Sequence, residues 1–268
     1  MKEVDIKDIK KISFEILCDV HDFCVKHDIH YSLSYGTLLG AIRHKGFIPW
    51  DDDIDIMMPR ADYEKFCKMY ESKNGYQCVC AQKGGYWSAY ARICDTDRTI
   101  VHSPAPMGST PNGVWIDLFV IDGAEEDKEL FNKHAQEAKQ NYADLLSQRF
   151  MLNLAHGSFI SKLKFLIFRL IWKSCVKQKT WQYIDCCRRV PYGSTSYVSD
   201  FSCVFRALPK RHNVSIFDKY ILREFEGEKF CVIADYDSFL TNIYGNYMQS
   251  PPVEERVPYH SAHKYFWK

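Results

Sequence analysis

Four aspartates crowd into five consecutive positions of this sequence. They are Asp51, Asp52, Asp53 and Asp55. Their carboxylates repel one another, so burying even part of the cluster requires compensation by a cation. Carboxylate oxygens are hard ligands that suit Mg²⁺ or Mn²⁺. The cluster therefore predicts a site for a divalent metal ion.

The residues around the aspartates alternate acid and aliphatic side chains, which predicts a strand over Ile54–Met58. Because strand side chains alternate between faces, Asp53 and Asp55 point to the same side. Asp117 is the one charge in the apolar run Val114–Ile121, a predicted buried strand, and needs a partner there. Carboxylates at Asp53, Asp55 and Asp117 on neighbouring strands predict a two-metal site.

A Gly36-Thr37 pair lies upstream and reads as a turn that opens a short helix ending near Arg43. Backbone N–H groups and a hydroxyl at a helix N-terminus are suited to bind phosphate. An acidic run taken alone is more often a solvated loop. The turn, the aliphatic strand and the isolated Asp117 together favour the site.

Basic residues flank the acidic strand, and two interpretations of them stay open. Either they contact a diphosphate or they form ordinary salt bridges with the aspartates. These residues are Arg43, His44, Lys45 and Arg60.

Further elements follow from periodicity and turn residues. Helices are predicted over Ile9–Cys24 and Ala61–Glu71, near 126–150 and 158–178, and over Tyr236–Tyr244, with a hairpin at Phe225–Phe230. Strands are predicted over Tyr31–Tyr35, Tyr76–Ala81, Trp87–Cys94, Thr99–His102 and Val114–Ile121, the last ending at an Asp122-Gly123 turn. This order predicts an α+β fold: a core over 1–125, and a mostly helical region over 126–268 that packs on it across a soft boundary.

Composition excludes several classes of protein. With 35 Lys and Arg against 34 Asp and Glu, the formal charge is +1, so no basic field attracts nucleic acid. Eleven cysteines is an odd number, and the close pairs Cys78/Cys80 and Cys186/Cys187 lack the spacing of a zinc site. We expect free thiols in a reducing cytoplasm and no structural metal.

The most apolar segment of the chain is Leu163–Val176, which Lys164, Arg169 and Lys173 interrupt. No membrane span is therefore predicted. The segment over 158–178 is basic and apolar at helical spacing. It either lies on a membrane surface or is a core helix whose lysines extend outward.

Two long motifs resemble one known family. The run from Tyr31 to Phe66, YSLSYGTLLGAIRHKGFIPWDDDIDIMMPRADYEKF, is similar to the signature of the LicD family of phosphocholine transferases. The run Tyr244–Arg256, YGNYMQSPPVEER, followed by His260, resembles the closing pattern of that family, with Ser250 in place of its usual leucine before two prolines.

The resemblance implies a nucleotidyltransferase-like fold, a small mixed sheet flanked by helices. It also implies Mg²⁺- or Mn²⁺-dependent transfer of a phosphoalkyl group from a CDP-linked alcohol, most often CDP-choline. The acceptor would be a sugar hydroxyl of a surface polysaccharide or teichoic acid precursor, free or lipid-linked, reached from the cytoplasm or the inner membrane face. Nucleotidyl transfer, a different CDP-alcohol such as ribitol or ethanolamine, and a non-catalytic binding protein stay open.

Carried onto this sequence, the resemblance places the phosphate turn at Gly36 and Thr37 and the metal pair at Asp53 and Asp55. Asp117 is either the third ligand or the general base. Arg43, Lys45, Arg256 and His260 are expected to bind the nucleotide. An aromatic cage for choline has candidates in Trp50, Trp87, Tyr90 and Trp115 but is left unassigned.

Overall fold

The computed structural model describes residues 1–102, 112–151, 174–205, 207–252, 254, 256 and 263–268. Its helices are α1 (Ile6–His27), α2 (Tyr35–Arg43), α3 (Arg60–Met69), α4 (Lys128–Met151), α5 (174–187) and α6 (Tyr236–Tyr244). Its strands are β1 (Ser32–Leu33), β2 (Asp55–Pro59), β3 (Gln77–Val79), β4 (Ala91–Asp95), β5 (Thr99–His102), β6 (Val114–Ala124), β7 (Tyr197–Ser199), β8 (His212–Asn213), β9 (Tyr220–Phe225), β10 (Glu228–Ile233) and β11 (Lys264–Trp267). This is the mixed α and β architecture that the sequence predicts.

A mixed sheet carries the residues of interest. Its strand order is β1-β2-β6-β4-β3, and β7 and β8 extend it from the end of β6. Strands β2 and β6 are parallel, whereas β1, β4 and β7 run antiparallel to the strands beside them. The parallel pair sets Asp55 directly opposite Asp117, so residues far apart in sequence become neighbours at the middle of the sheet.

The first helix covers the sheet with an amphipathic face. Ile12, Ile16 and Val20 are almost fully buried, at the spacing of one helical stripe. Each such side chain contributes roughly 1.5–3 kcal/mol on burial. Asp5 caps the start by accepting from the Asp8 N–H, and Asp28 ends the helix in the left-handed conformation. The helix predicted over Ile9–Cys24 is confirmed, and it extends to His27.

Strand β6 corrects one prediction, because it continues through Asp122 and Gly123 instead of turning there. Residues Asp122, Gly123 and Ala124 pair with β7, a partner that lies far along the sequence. A side chain at Gly123 would collide with the Pro191 carbonyl oxygen, which lies 2.3 Å from the position of a Cβ. Backbone crossing this closely requires glycine.

Helix α2 corrects a second prediction. The strand expected over Tyr31–Tyr35 is only two residues long, and the helix begins at Tyr35, so Gly36 and Thr37 lie inside its first turn. Ser34 has an extended backbone, and its carbonyl accepts the Leu38 N–H at 2.9 Å. Ser34 is therefore the N-cap, and Tyr35, one residue before Gly36, is the first residue of the helix.

Among the described residues, the second half of the chain carries strands as well as the predicted helices. Helices α4 and α5 follow β6, but β7 to β11 lie beyond residue 190. The predicted hairpin is confirmed as β9 and β10, with Glu226 and Gly227 both at positive φ in the two-residue turn. The aromatic, β-branched content of this region favours strands. The division of the chain near residue 125 stays a prediction.

The cysteines and the predicted basic, apolar helix remain to be compared with the structure. All eleven cysteines are free thiols, as expected. The predicted helix over 158–178 lies mostly outside the described residues. Within the described ranges, no helix has both the length and the apolar content needed to cross a bilayer.

Candidate functional site

The acidic segment forms a convergent carboxylate cluster. Oxygens of Asp51, Asp52 and Asp53 all lie within 4.8 Å of one another. Ile54 is fully buried while Asp53 and Asp55 are half-buried, which confirms the alternation that the sequence predicts. The cluster could therefore hold a hard divalent cation with access from solvent.

Asp55 begins β2, and two hydrogen bonds of its own backbone and one of the Ile54 backbone position it. Its N–H donates to Thr37 Oγ1 at 2.8 Å, and its carbonyl accepts the Ser34 N–H at 2.9 Å. On the other side of the strand, the Asp117 N–H donates to the Ile54 carbonyl at 3.0 Å. The start of α2 and strand β6 thus hold the acidic segment from both sides. Thr37, expected to bind phosphate, positions Asp55 through its hydroxyl oxygen.

Gly36 allows the acidic segment to approach the start of α2. A Cβ at this position would lie 2.5 Å from Asp51 Oδ2, so a larger residue would displace that carboxylate. The first amides of a helix have no acceptor within the helix. Gly36 thus gives the carboxylate of Asp51 direct access to a helix N-terminus.

The carboxyl group of Asp51 is strongly perturbed. Burial raises its pKa to about 8, and the charge of Asp53 and a hydrogen bond with Asp53 contribute further. A bound divalent cation would oppose each of these effects by favouring the ionised form. Asp51 was not among the predicted ligands, although the three consecutive aspartates were the signal for it.

We predict a measurable pH dependence from Asp51 in metal-free protein. Between the pKa of the unfolded chain, near 4, and the folded value near 8, the folded protein binds the extra proton, so stability falls as pH rises. The slope from one such group is at most about 1.4 kcal/mol per pH unit. Urea unfolding in EDTA between pH 5 and 8 should show a smaller decline for Asp51→Asn than for the wild type. Equal slopes would contradict the assignment.

Asp117 forms a buried ion pair. Arg92 Nε donates to Asp117 Oδ1 at 2.7 Å, and both side chains are at most 10% exposed. The Arg92 guanidinium carbon lies 4.1 Å from the ring centre of Trp115, with the Tyr86 and Tyr90 rings at 5.8 Å. Two predicted choline-cage candidates, Tyr90 and Trp115, therefore enclose an arginine.

Tyr265 on β11 connects this pair with the acidic cluster. Burial raises the pKa of its hydroxyl well above the ordinary value, the Arg92 charge lowers it, and the charges of Asp117, Asp52 and Asp53 raise it. The hydroxyl of Tyr265 is thus influenced by charges of β6 and of the acidic segment that precedes β2. The sequence offered no signal for this role, because β11 lies far along the chain from the motif.

Two arginines of the motifs, Arg43 and Arg256, each donate to a backbone carbonyl of the C-terminal region. Arg43 Nη1 donates to the Tyr247 carbonyl at 2.7 Å, and Arg256 Nε donates to the Pro251 carbonyl at 2.9 Å. Burial lowers the pKa of Arg43, and the charge of Arg256 lowers it further. These acceptors carry no net charge, so two positive groups share one region, which suits a phosphate or diphosphate.

Trp50 joins the arginines to the aspartates, since it directly precedes Asp51. The Arg256 guanidinium carbon lies 5.0 Å from the Trp50 ring centre, and His44 packs edge-on at 6.4 Å. The C-terminal motif therefore packs on the N-terminal motif, as a shared role predicts.

Other predicted residues lie elsewhere. Lys45 is exposed and pairs with Glu224 at 3.6 Å. Arg60 is half-buried and makes two hydrogen bonds with Asp122, at 2.6 and 2.8 Å. Both have the ordinary salt-bridge role that the sequence left open, so the structure does not bring either to the cluster through a described contact. His260 is outside the described residues.

Tyr35 makes a contact that sequence reasoning missed. Its hydroxyl donates to Asp200 Oδ2 at 2.8 Å, and Asp200 Oδ1 accepts from the Ser202 hydroxyl at 2.6 Å. Burial raises the pKa of Asp200 to about 6, and its hydrogen bonds with Ser202 and Tyr35 oppose the increase. Tyr35 has a positive φ of 42°, a strained conformation for a non-glycine residue. This contact holds the start of α2 against the second half of the chain.

Comparison with known proteins agrees with the two motifs. Residues 28–156 match the LicD/FKTN/FKRP nucleotidyltransferase domain family. The chain is 30% identical, over 99% of both sequences, to the lipopolysaccharide cholinephosphotransferase LicD of Haemophilus influenzae. Uncharacterized proteins of Rickettsia typhi and Rickettsia prowazekii are each 41% identical over 63 residues, which is 23% of this chain and 20% and 24% of theirs.

Proposed function

This chain belongs to the LicD family, and on that basis we propose that it transfers phosphocholine from CDP-choline to a sugar hydroxyl. The acceptor is a cell-surface polysaccharide or teichoic acid precursor, and CMP is released. The observation that carries the proposal is the convergence of three carboxylates directly after Trp50, the residue on which Arg256 packs. Such a site binds a metal ion and a diphosphate together, which phosphoryl transfer requires.

The residues present fit Mg²⁺ or Mn²⁺. The cluster offers only oxygen ligands, and repulsion between Asp51 and Asp53 already raises the pKa of Asp51. Asp51, Asp52 and Asp53 would hold the ion, with Asp55 beside them. A bound ion would supply charge neutralisation for the diphosphate and for the departing CMP.

The chain's own residues perform the remaining tasks. Arg43 and Arg256 bind the diphosphate, and their fixed geometry orients the phosphorus for attack. The acceptor oxygen forms a bond to the phosphorus of phosphocholine, and the bond from that phosphorus to the bridging oxygen breaks, with the electron pair leaving on CMP. The hydroxyl proton passes to a carboxylate, for which we propose Asp117, oriented by Arg92.

The test measures which product each donor releases. The purified protein is incubated with Mg²⁺ or Mn²⁺ and with CDP-choline, CDP-ethanolamine, CDP-ribitol or CTP, and CMP and pyrophosphate are quantified. We expect metal-dependent CMP release from CDP-choline, accelerated by an acceptor glycan. Pyrophosphate from CTP would identify nucleotidyl transfer instead, and CMP from another donor alone would change the transferred group.

Removing the Arg256 guanidinium is expected to weaken donor binding. A hydrogen bond to a charged group is worth about 1.5–3 kcal/mol, so Arg256→Met should raise the KM for CDP-choline roughly 10- to 100-fold with a smaller change in kcat. Arg223→Met is the matched control, since Arg223 also donates to a carbonyl and lies 5.4 Å from an aromatic ring, that of Tyr236. An equal KM in both variants would exclude Arg256 from the donor site.

A further inference from the structure

Three cysteines meet between α3 and the edge strand β3. Cys67 lies on α3, Cys78 is in β3, and Cys80 directly follows β3. Their sulfur atoms all lie within 4.8 Å of one another, and the residues are 2%, 7% and 0% exposed. This thiol cluster plays no part in the site described above.

Local geometry explains the convergence. Cys78 and Cys80 are two residues apart in extended backbone, so their side chains point to the same face. The buried stripe of α3, formed by Tyr63, Phe66 and Cys67, packs against the sheet. The spacing of cysteines in sequence did not reveal the cluster, because the third thiol comes from the preceding helix.

The surroundings favour ionisation of one thiol. Hydrogen bonds from Cys67 and Cys78 lower the pKa of Cys80, burial opposes them, and the backbone N–H and charge of Lys83 lower the pKa further. Thiolate is the form of cysteine that binds metal ions. The three sulfur atoms lie close enough together to share one metal ion.

We propose that Cys67, Cys78 and Cys80 bind one thiophilic divalent metal ion, Zn²⁺ in the cell. Three sulfurs each about 2.3 Å from a zinc ion stand about 3.8 Å apart, so the thiol cluster needs only a small contraction. Three thiolates and Zn²⁺ together carry one negative charge, which Lys83 faces. The Tyr63 hydroxyl hydrogen-bonds with Cys67.

The site would fasten α3 to the edge of the sheet. The thiol cluster and the aspartate cluster select different ions, since sulfur ligands prefer Zn²⁺ and carboxylates prefer Mg²⁺. The zinc site is thus structural, and it does not depend on the proposed transferase activity.

Cobalt titration tests the proposal, because a thiolate–Co²⁺ bond gives a charge-transfer absorption in the near ultraviolet that carboxylates do not give. Reduced, metal-free protein should bind one equivalent of Co²⁺ with this absorption and release it to Zn²⁺. Cys67→Ala and Cys80→Ala should each weaken binding roughly 100-fold. Zinc should also raise the melting temperature of the wild type.

Two control variants show whether loss of the absorption could come from misfolding or from the aspartate cluster. Cys24→Ala removes a buried thiol of α1 outside the cluster, and Asp53→Ala removes a carboxylate; both should retain the absorption. Circular dichroism identifies variants that fail to fold, and zinc bound to the wild type as purified gives a measurement without substitution. The proposal is overturned by absence of the absorption in the wild type, by its survival in both cluster variants, or by a disulfide within the thiol cluster of the purified protein.

Discussion

Replacing Asp53 with alanine is expected to reduce metal-dependent CMP release from CDP-choline by about 10³-fold. Electrostatic groups that stabilise a transition state contribute about 10²- to 10³-fold each, and Asp53 belongs to the proposed metal-binding cluster. Initial rates of CMP release at saturating Mg²⁺, compared with the wild type, give the measurement. The loss should appear mainly in kcat, since the arginines proposed to bind the diphosphate remain.

Asp218→Ala provides the control for this experiment, because Asp218 is an exposed aspartate outside the cluster. It should retain wild-type rates. The melting temperature of Asp53→Ala should not fall, since removal of one carboxylate relieves repulsion. Wild-type turnover by folded Asp53→Ala would exclude this carboxylate from the metal site.

Breaking the Arg92–Asp117 pair is expected to cost about 3–5 kcal/mol of unfolding free energy. Arg92→Met leaves the Asp117 carboxylate, only 7% exposed, without its charged partner in the middle of the sheet. It also removes the cation enclosed by Tyr86, Tyr90 and Trp115. Urea unfolding measures the loss.

A double-mutant cycle separates the pair from the packing around it. Arg92→Met combined with Asp117→Asn should cost less than the sum of the two single variants, because the second change removes the stranded charge. Arg188→Met is the control, since Arg188 and Asp185 form an exposed pair, and such pairs contribute at most about 1 kcal/mol. Additive costs in the Arg92 cycle would contradict the pairing.

Local elements were predictable where one physical signal dominated. The strand over Thr99–His102 and the helix over Tyr236–Tyr244 have the bounds that periodicity gives. Prediction failed where a distant partner decides the conformation. Gly123 signals a turn by its residue type, yet β7 pairs with it and continues the strand.

In the candidate site, too, features set by neighbouring residues were predictable, and features set by distant partners were not. The acidic segment and its alternation follow from neighbouring residues, and the sequence motif also identified Arg43 and Arg256. The partners of these groups did not follow, because Arg92 reaches Asp117 across a pair of antiparallel strands. Lys45 and Arg60 lie near the acidic run in sequence, yet their ion-pair partners are Glu224 and Asp122, outside that run.

The contacts that complete the proposed site join residues far apart in the chain, and this has a consequence for the order of folding. The Tyr35–Asp200 hydrogen bond spans 165 residues, and the Arg43–Tyr247 hydrogen bond spans 204. The entropy of closing such long loops must be overcome before these contacts stabilise anything. Helices such as α1 form from local contacts, whereas the cluster of aspartates and arginines assembles only when the two ends of the polypeptide have met. During refolding, recovery of helical circular dichroism should therefore precede recovery of enzymatic activity.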